Sequence, residues 1–250
     1  MSIVEATVAW LTDPANWAGP NGIPARLGEH VAISLVSLSI ALVIALPAGL
    51  AVGHSRRGTG VAVSIANIGR AVPTLALIGL FLPLTQALDP INGFFLYPTL
   101  IAMVFLAIPP VLVNADAGIR GVDAEVVQAA RGMGLTEAQV LRQIEVPLAL
   151  PVIIGGVRSA TVQVIATMTL GAIFALGGLG RYIVDGIHNQ QYDRLFAGVI
   201  LVAALAIGID LLLSVAQRFL TPRALRAAAR TPVGPPEVVL DTPGAEAAGA

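Results

Sequence analysis

Three ionisable residues lie inside long apolar runs of this chain: Asp116, Arg158 and Asp210. A charge at the centre of a bilayer costs about 2.5–3.5 kcal/mol on insertion scales, so such residues pair with one another or serve ions and protons. Arg158 falls about three helical turns beyond Pro147, and Asp210 about two turns before Arg218 in a helix running the other way, which gives them similar depth. An Arg158–Asp210 link, direct or through water, is therefore expected, with Asp116 as the rival partner. The alternative is that Arg158 reaches the headgroups while Asp210 faces water. Thr161, Gln163, Thr167 and Thr169 follow Arg158 in a single run. A polar stripe this rich faces other helices or the path of a solute. Arg158, Thr161, Gln163, Thr167 and Asp210 are thus the candidate residues of a translocation path, and a proton-coupled carrier would use Asp116, Arg158 and Asp210 as relays.

Much other chemistry is excluded. All fourteen basic residues are Arg. A phosphate-binding Walker loop needs its Lys, so any ATP hydrolysis must come from a separate chain. Cysteine is absent, which removes disulfides, thiolate catalysis and Cys-type zinc sites. His54 stands in the basic turn His54-Ser55-Arg56-Arg57-Gly58 with no second His near it and reads as a turn residue; His30 reads as a group at the water boundary. Asp185, His188 and Asp193, the best candidates for an intramembrane enzyme, share one short outside loop and read as hydrated surface groups, and an Asp pair at the right depth in two spans is lacking. Gly177-Gly178-Leu179-Gly180 lacks the preceding strand and the spacing of a dinucleotide fingerprint, and reads as a turn at the membrane face. No cofactor and no metal are expected. A formal net charge of -1 gives no reason to expect nucleic acid.

The elements that hold these residues are transmembrane helices. With 250 residues, 56% of them hydrophobic, 12% charged, and a mean hydropathy of +0.84, the chain reads as an all-α polytopic membrane protein. Five spans are expected: Val31 to Gly53 with Pro47 as a kink, Ala71 to Ala87 preceded by a membrane-entry helix from Val61 to Arg70, Phe94 to Ala115, Val152 to Leu176, and Leu195 to Ala216. Pro109-Pro110 should bend or break the third. Residues 1–30 hold Glu5, Asp13 and Glu29 without a basic start and do not read as a cleavable signal. They form a surface-lying preface in which Trp10 and Trp17 suit the interface and Pro14, Pro20 and Pro24 break the chain ahead of the first span. Residues 218–250, rich in Pro, Ala and Gly, read as a disordered tail. Arg56, Arg57, Arg120, Arg131, Arg142, Arg218, Arg223, Arg226 and Arg230 fall on one side, against Arg26, Arg181 and Arg194 on the other. The excess marks the cytosol, which places the N-terminus outside and the C-terminus inside a plasma (inner) membrane. No internal repeat is visible, which disfavours a secondary carrier.

Between the third and fourth spans lies a polar, helix-patterned island, Asp123 to Pro151. Asp123 and Glu125 suit a first helical turn, and Gly132 and Gly134 end that helix, Gly134 taking the positive φ of a sharp turn. Thr136 starts a second helix with Gln139 as its capping-box partner and Leu135 against Val140 as a staple. Val140, Leu141 and Ile144 form one apolar face, and Pro147 and Pro151 should end the helix.

The island resembles the cytosolic loop of ABC importer permeases, which reads Glu-Ala-Ala, three residues, Gly, nine residues, Ile-x-Leu-Pro. Here Gln128-Ala129-Ala130 is followed after three residues by Gly134 and after nine more by Ile144-Glu145-Val146-Pro147, departing only at Gln128 and Val146. Three further stretches, Asn16 to Pro24, Arg70 to Leu77 and Gly156 to Ile183, are similar to permeases of osmoprotectant importers for glycine betaine, choline, carnitine and proline betaine. The likeness covers residues 16–217. Methionine importer permeases share the size and the loop. The resemblance implies a type I ABC importer transmembrane domain over 31–217 that pairs with a second permease chain, with cytosolic ABC ATPase subunits and with an extracytoplasmic solute-binding protein. It also implies a coupling loop over 119–151 in which Gln128, Ala129, Ala130, Gly134, Leu135, Ile144 and Pro147 serve the ATPase. Solute recognition by an aromatic cage then belongs to the binding protein, and this chain is the pathway.

Overall fold

The computed structural model describes residues 2–220, in which helices are joined by short turns and no strand occurs. A short amphipathic helix, α1 (Ile3–Thr12), opens on Ser2, whose hydroxyl and Glu5 form a capping box. The first long helix, α2 (Ile23–Ser55), is followed by α3 (Thr59–Ala71), α4 (Thr74–Leu88), the single turn α5 (Asn92–Phe95) and α6 (Tyr97–Arg120). The island supplies α7 (Ala124–Gly132) and α8 (Glu137–Gln139). A π-helical turn at Val140–Glu145 then leads directly into α9 (Val146–Met168). Last come α10 (Gly180–His188) and α11 (Tyr192–Leu220).

Four rods are long and apolar enough to cross a bilayer unaided, Ile23–Ser55, Asn92–Arg120, Glu137–Phe174 and Tyr192–Phe219. The fifth candidate is broken: Thr59–Gly69 and Thr74–Leu88 meet at 88°. The break falls at Val72-Pro73, where a residue before proline is driven out of the α region and Val72 is extended, φ -79° and ψ 121°. At about 1.5 Å per residue, α4 alone falls short of a ~30 Å hydrocarbon core.

Three sequence expectations are corrected. Pro24 does not break the chain; it sits in the first turn of α2, where its missing N–H costs nothing, so the first span begins at Ile23 rather than Val31. Pro109 and Pro110 are buried inside α6 without breaking it. Pro147 and Pro151 do not end the island's second helix: Pro147 stands in the first turn of α9, directly after the π turn, Pro151 lies inside α9, and the helix runs on to residue 168. The expected tail is described only to Leu220, and its remainder lies outside the described residues.

The centre of the bundle is α6, the most buried of the spans, which packs on α2 along one side and α9 along the other. Close approach depends on small residues. A Cβ on Gly49 of α2 would come within 2.7 Å of Ala115 Cβ and the Leu112 carbonyl, and one on Gly156 of α9 within 2.8 Å of the Pro110 carbonyl. Leu38, Ala41, Ala45, Met103, Ala107, Val111 and Val164 fill the space between them. By contrast, α11 packs on α9, α10 and α1 and leaves most of its apolar surface exposed.

Candidate functional site

Arg158 of α9 and Asp210 of α11 form a direct ion pair. Arg158 Nη2 donates to Asp210 Oδ1 and Oδ2 at 2.8 and 2.9 Å, and Nε donates to Oδ1 at 3.1 Å. Arg158 Nη1 also donates to Gln217 Oε1 at 3.0 Å, and Gln217 Nε2 donates to the Pro151 carbonyl at 2.9 Å. Arg158, Ser159, Gln163 and Asp210 line an open groove of about 660 Å³ between α9 and α11. The rival carboxylate is engaged elsewhere: Asp116 is fully buried and receives two hydrogen bonds from Arg120, one turn on, at 2.9 and 2.8 Å.

The expected polar stripe on α9 divides between two faces. Thr161 is buried, donates to the Val157 carbonyl at 2.7 Å, and lines an apolar cavity of about 180 Å³ with Ser34 of α2 and Val164. Gln163, two residues on and so on the other side of the helix, lines the Arg158 groove. Thr167 follows Gln163 by four residues and is half-buried, and Thr169 donates to the Ala166 carbonyl at 2.8 Å.

At the end of the bundle near the N-terminus, α1, α2, α10 and the Gly177–Gly180 turn meet. Glu29 Oε2 accepts from the Gly178 N–H at 2.8 Å, and no Cβ would fit on Gly177 beside that carboxylate. His30 is not at the water boundary. It is fully buried, with Nδ1 accepting from the Leu179 N–H at 3.3 Å and Nε2 2.9 Å from the Ile165 carbonyl. The acceptor role of Nδ1 fixes the Nε2–H tautomer. Tyr182 donates to the Asn21 carbonyl at 2.8 Å, meets Trp10 edge to face and lies under Arg194. Burial pushes the Tyr182 hydroxyl above its usual range. Asp185 is held by Arg181 and Arg194 at 2.7 and 2.8 Å, and among the described residues no hydrogen bond joins it or Asp193 to His188. The three do not assemble into an acid–base site.

At the opposite end the island is built on local signals. Asp123 caps α7 through the Glu125 N–H at 2.8 Å, Gly134 turns the chain at φ +86°, and Thr136 and Gln139 close a capping box. Val127, Ala130 and Val140 are buried with Ile119, Val122 and Ala149, and Leu135, Leu141 and Ile144 pack against them. Adjacent residues of the motif part company here: Ala130 faces this core, while Gln128 and Ala129 are exposed. Val126 and Met133 are exposed beside Ala129 at helical spacing, an apolar stripe that the sequence motif does not mark. Pro147 is half-buried at the root of α9. Sequence reasoning also missed the partner of Glu145. This buried carboxylate lies 2.5 Å from Nδ1 of His54 of α2, whose Nε2 lies 3.2 Å from Glu137.

Residues 41–226 match the family of the binding-protein-dependent transport system inner membrane component. The chain belongs to that family. Within it, the chain is 34% identical over 201 residues to the glycine betaine/carnitine/choline transport system permease protein OpuCB of Bacillus subtilis (strain 168), covering 80% of this chain and 89% of that one. It is 36% identical to the choline transport system permease protein OpuBB of the same organism, over 79% of this chain and 88% of that one. The osmoprotectant import permease protein OsmW of Salmonella typhimurium (strain LT2) is 33% identical over 79% and 91%. Among solved structures, an inward-facing form of the MetNI methionine ABC transporter superposes with a TM-score of 0.72 at 20% identity, over 84% of this chain and all of that one. The fold is therefore that of a type I ABC importer permease, and this inner-membrane component is a multi-pass transport subunit.

Proposed function

We propose that the chain forms the translocation path of an ATP-driven importer for a compatible solute of the glycine betaine, choline or carnitine class. The observation that carries the solute class is the identity to osmoprotectant permeases over nearly their whole length. The chain would lie with its N-terminus outside and the island in the cytosol, as the arginine distribution favours. There the exposed stripe of Val126, Ala129 and Met133 on α7 is the face offered to a separate ABC ATPase, and Gly134 sets its angle. The groove beside Arg158, Gln163 and Asp210, with the thinly covered surface of α11, is the side turned to the solute path and to a second permease chain. An extracytoplasmic binding protein delivers the solute to the end formed by α1 and α10. The test is uptake of radiolabelled glycine betaine, choline and carnitine by an uptake-deficient strain expressing the chain with its ATPase and binding protein. Uptake of at least one that needs all three components is expected. ATP-dependent uptake of methionine alone would overturn the solute class, and uptake that follows a proton gradient without the ATPase would overturn the importer.

A further inference from the structure

We infer that His54 is the joint through which movement of the island reaches the first span, a positioning residue that fastens the last turn of α2 to the island. The inference rests on the coupling reading above. One imidazole holds two carboxylates: Nδ1 meets Glu145 Oε2, in the π turn at the root of α9, and Nε2 lies 3.2 Å from Glu137 Oε2 on α8. Glu137 in turn accepts two hydrogen bonds from Arg131 of α7, at 2.9 and 3.0 Å. A single ring thereby links α2 to α8 and α9 directly and to α7 through one carboxylate. Among the described residues these are the only contacts between a polar side chain of α2 and a carboxylate of the island.

The charges make this a joint rather than filler. Each ring nitrogen faces its own carboxylate, so one side chain ties two separate points of the island to the end of α2. Nearby charges are otherwise committed or turned to water. Asp116 and Arg120 of α6 pair with each other, and Arg56 and Arg57 beyond the end of α2 are exposed. Glu145 has a side chain only 2% exposed and hydrogen-bonds to no other side chain among the described residues. A buried carboxylate cannot leave its one partner cheaply, so the α2 end and the α9 root move as one piece. The Glu137 side chain is 60% exposed, and water can replace the ring there, so this is the contact that opens and closes. Leu46 and Leu50 of α2 also pack near the island core, but apolar contacts slide without a fixed partner.

The test uses the chain assembled with its ATPase and binding protein in proteoliposomes, reading glycine betaine uptake per ATP hydrolysed, and the chain alone in lipid nanodiscs, reading hydrogen exchange over residues 137–146. His54→Gln, close to His in size but with a single neutral donor group, should speed exchange and lower uptake per ATP by roughly tenfold, the loss of one charge-assisted hydrogen bond. His54→Arg, a two-armed cation, should recover most of both, and Glu145→Gln should resemble His54→Gln. If Gln serves as well as His in both readings, or better than Arg, the ring is filler and the inference is overturned. Gly134→Val separates this from failure of the coupling reading. Should Gly134→Val leave transport intact, coupling is misplaced, whereas exchange still reports whether His54 holds the island.

Discussion

Arg158 and Asp210, fifty-two residues apart in sequence, meet end to end between α9 and α11, the guanidinium touching both carboxylate oxygens at 2.8 and 2.9 Å. Charge reversal tests the pair. Arg158→Asp and Asp210→Arg should each lower folded yield or transport, costing roughly 1–3 kcal/mol, below the ~3–5 kcal/mol of a fully buried pair because both groups keep some exposure. The double swap should recover a good part, measured as monodisperse yield and uptake. A double mutant as poor as the two singles combined would show that the two charges act independently.

The isolated chain should neither bind nor hydrolyse ATP, since it has no Lys and therefore no phosphate loop. Phosphate release from the pure chain, compared with the assembled transporter, checks this. Activity in the pure chain that a point change within it abolishes would refute it.

Four long apolar helices and the two-helix build of the island are legible because their signals are local, long apolar runs, a capping box at Thr136 and a glycine turn at Gly134, whereas the start of the first span and the 88° break in the second are not. Arg158 and Asp210 were legible by depth, since helices cross a slab of known thickness and few polar groups can be left alone there. The His54–Glu145 contact was not legible, because it joins residues 91 apart and each taken singly reads as a solvated helix end. Thr161 and Gln163 belong to one polar run in sequence yet point to opposite faces, as which face packs depends on α2 and α11 rather than on α9. Pro24 and Pro147 carry the sequence pattern of helix breakers but do not act as such. One opens a helix, and the other stands in the first turn of α9, directly after a π turn that no residue pattern announces.

Gly134 stands at φ +86° with open space where a Cβ would go, so substitution there is opposed by backbone strain alone. Asn, which tolerates the left-handed region, should be mild, and Ala should cost about 1–2 kcal/mol. Val, β-branched, should cost more and re-aim α7 relative to α8. The expected outcome is a graded loss of uptake, Asn then Ala then Val, at constant protein in the membrane. If Gly134→Val transports normally, the turn does not set the docking geometry.

His30 bridges two backbone groups that have no reason to meet otherwise, the Leu179 N–H of the glycine turn and the Ile165 carbonyl of α9. Ala in its place leaves both buried groups to find new partners, at about 1–3 kcal/mol for each that fails. Gln can offer an acceptor and a donor over a similar reach and should retain part of the stability. The measurement is thermal unfolding of the purified chain in detergent, where His30→Ala should melt lowest and His30→Gln between it and the native chain. Because the bridge pins the turn that also receives Glu29, Glu29→Gln in the His30→Ala background should cost less than Glu29→Gln alone. Strictly additive losses would mean that the two side chains act on the turn independently.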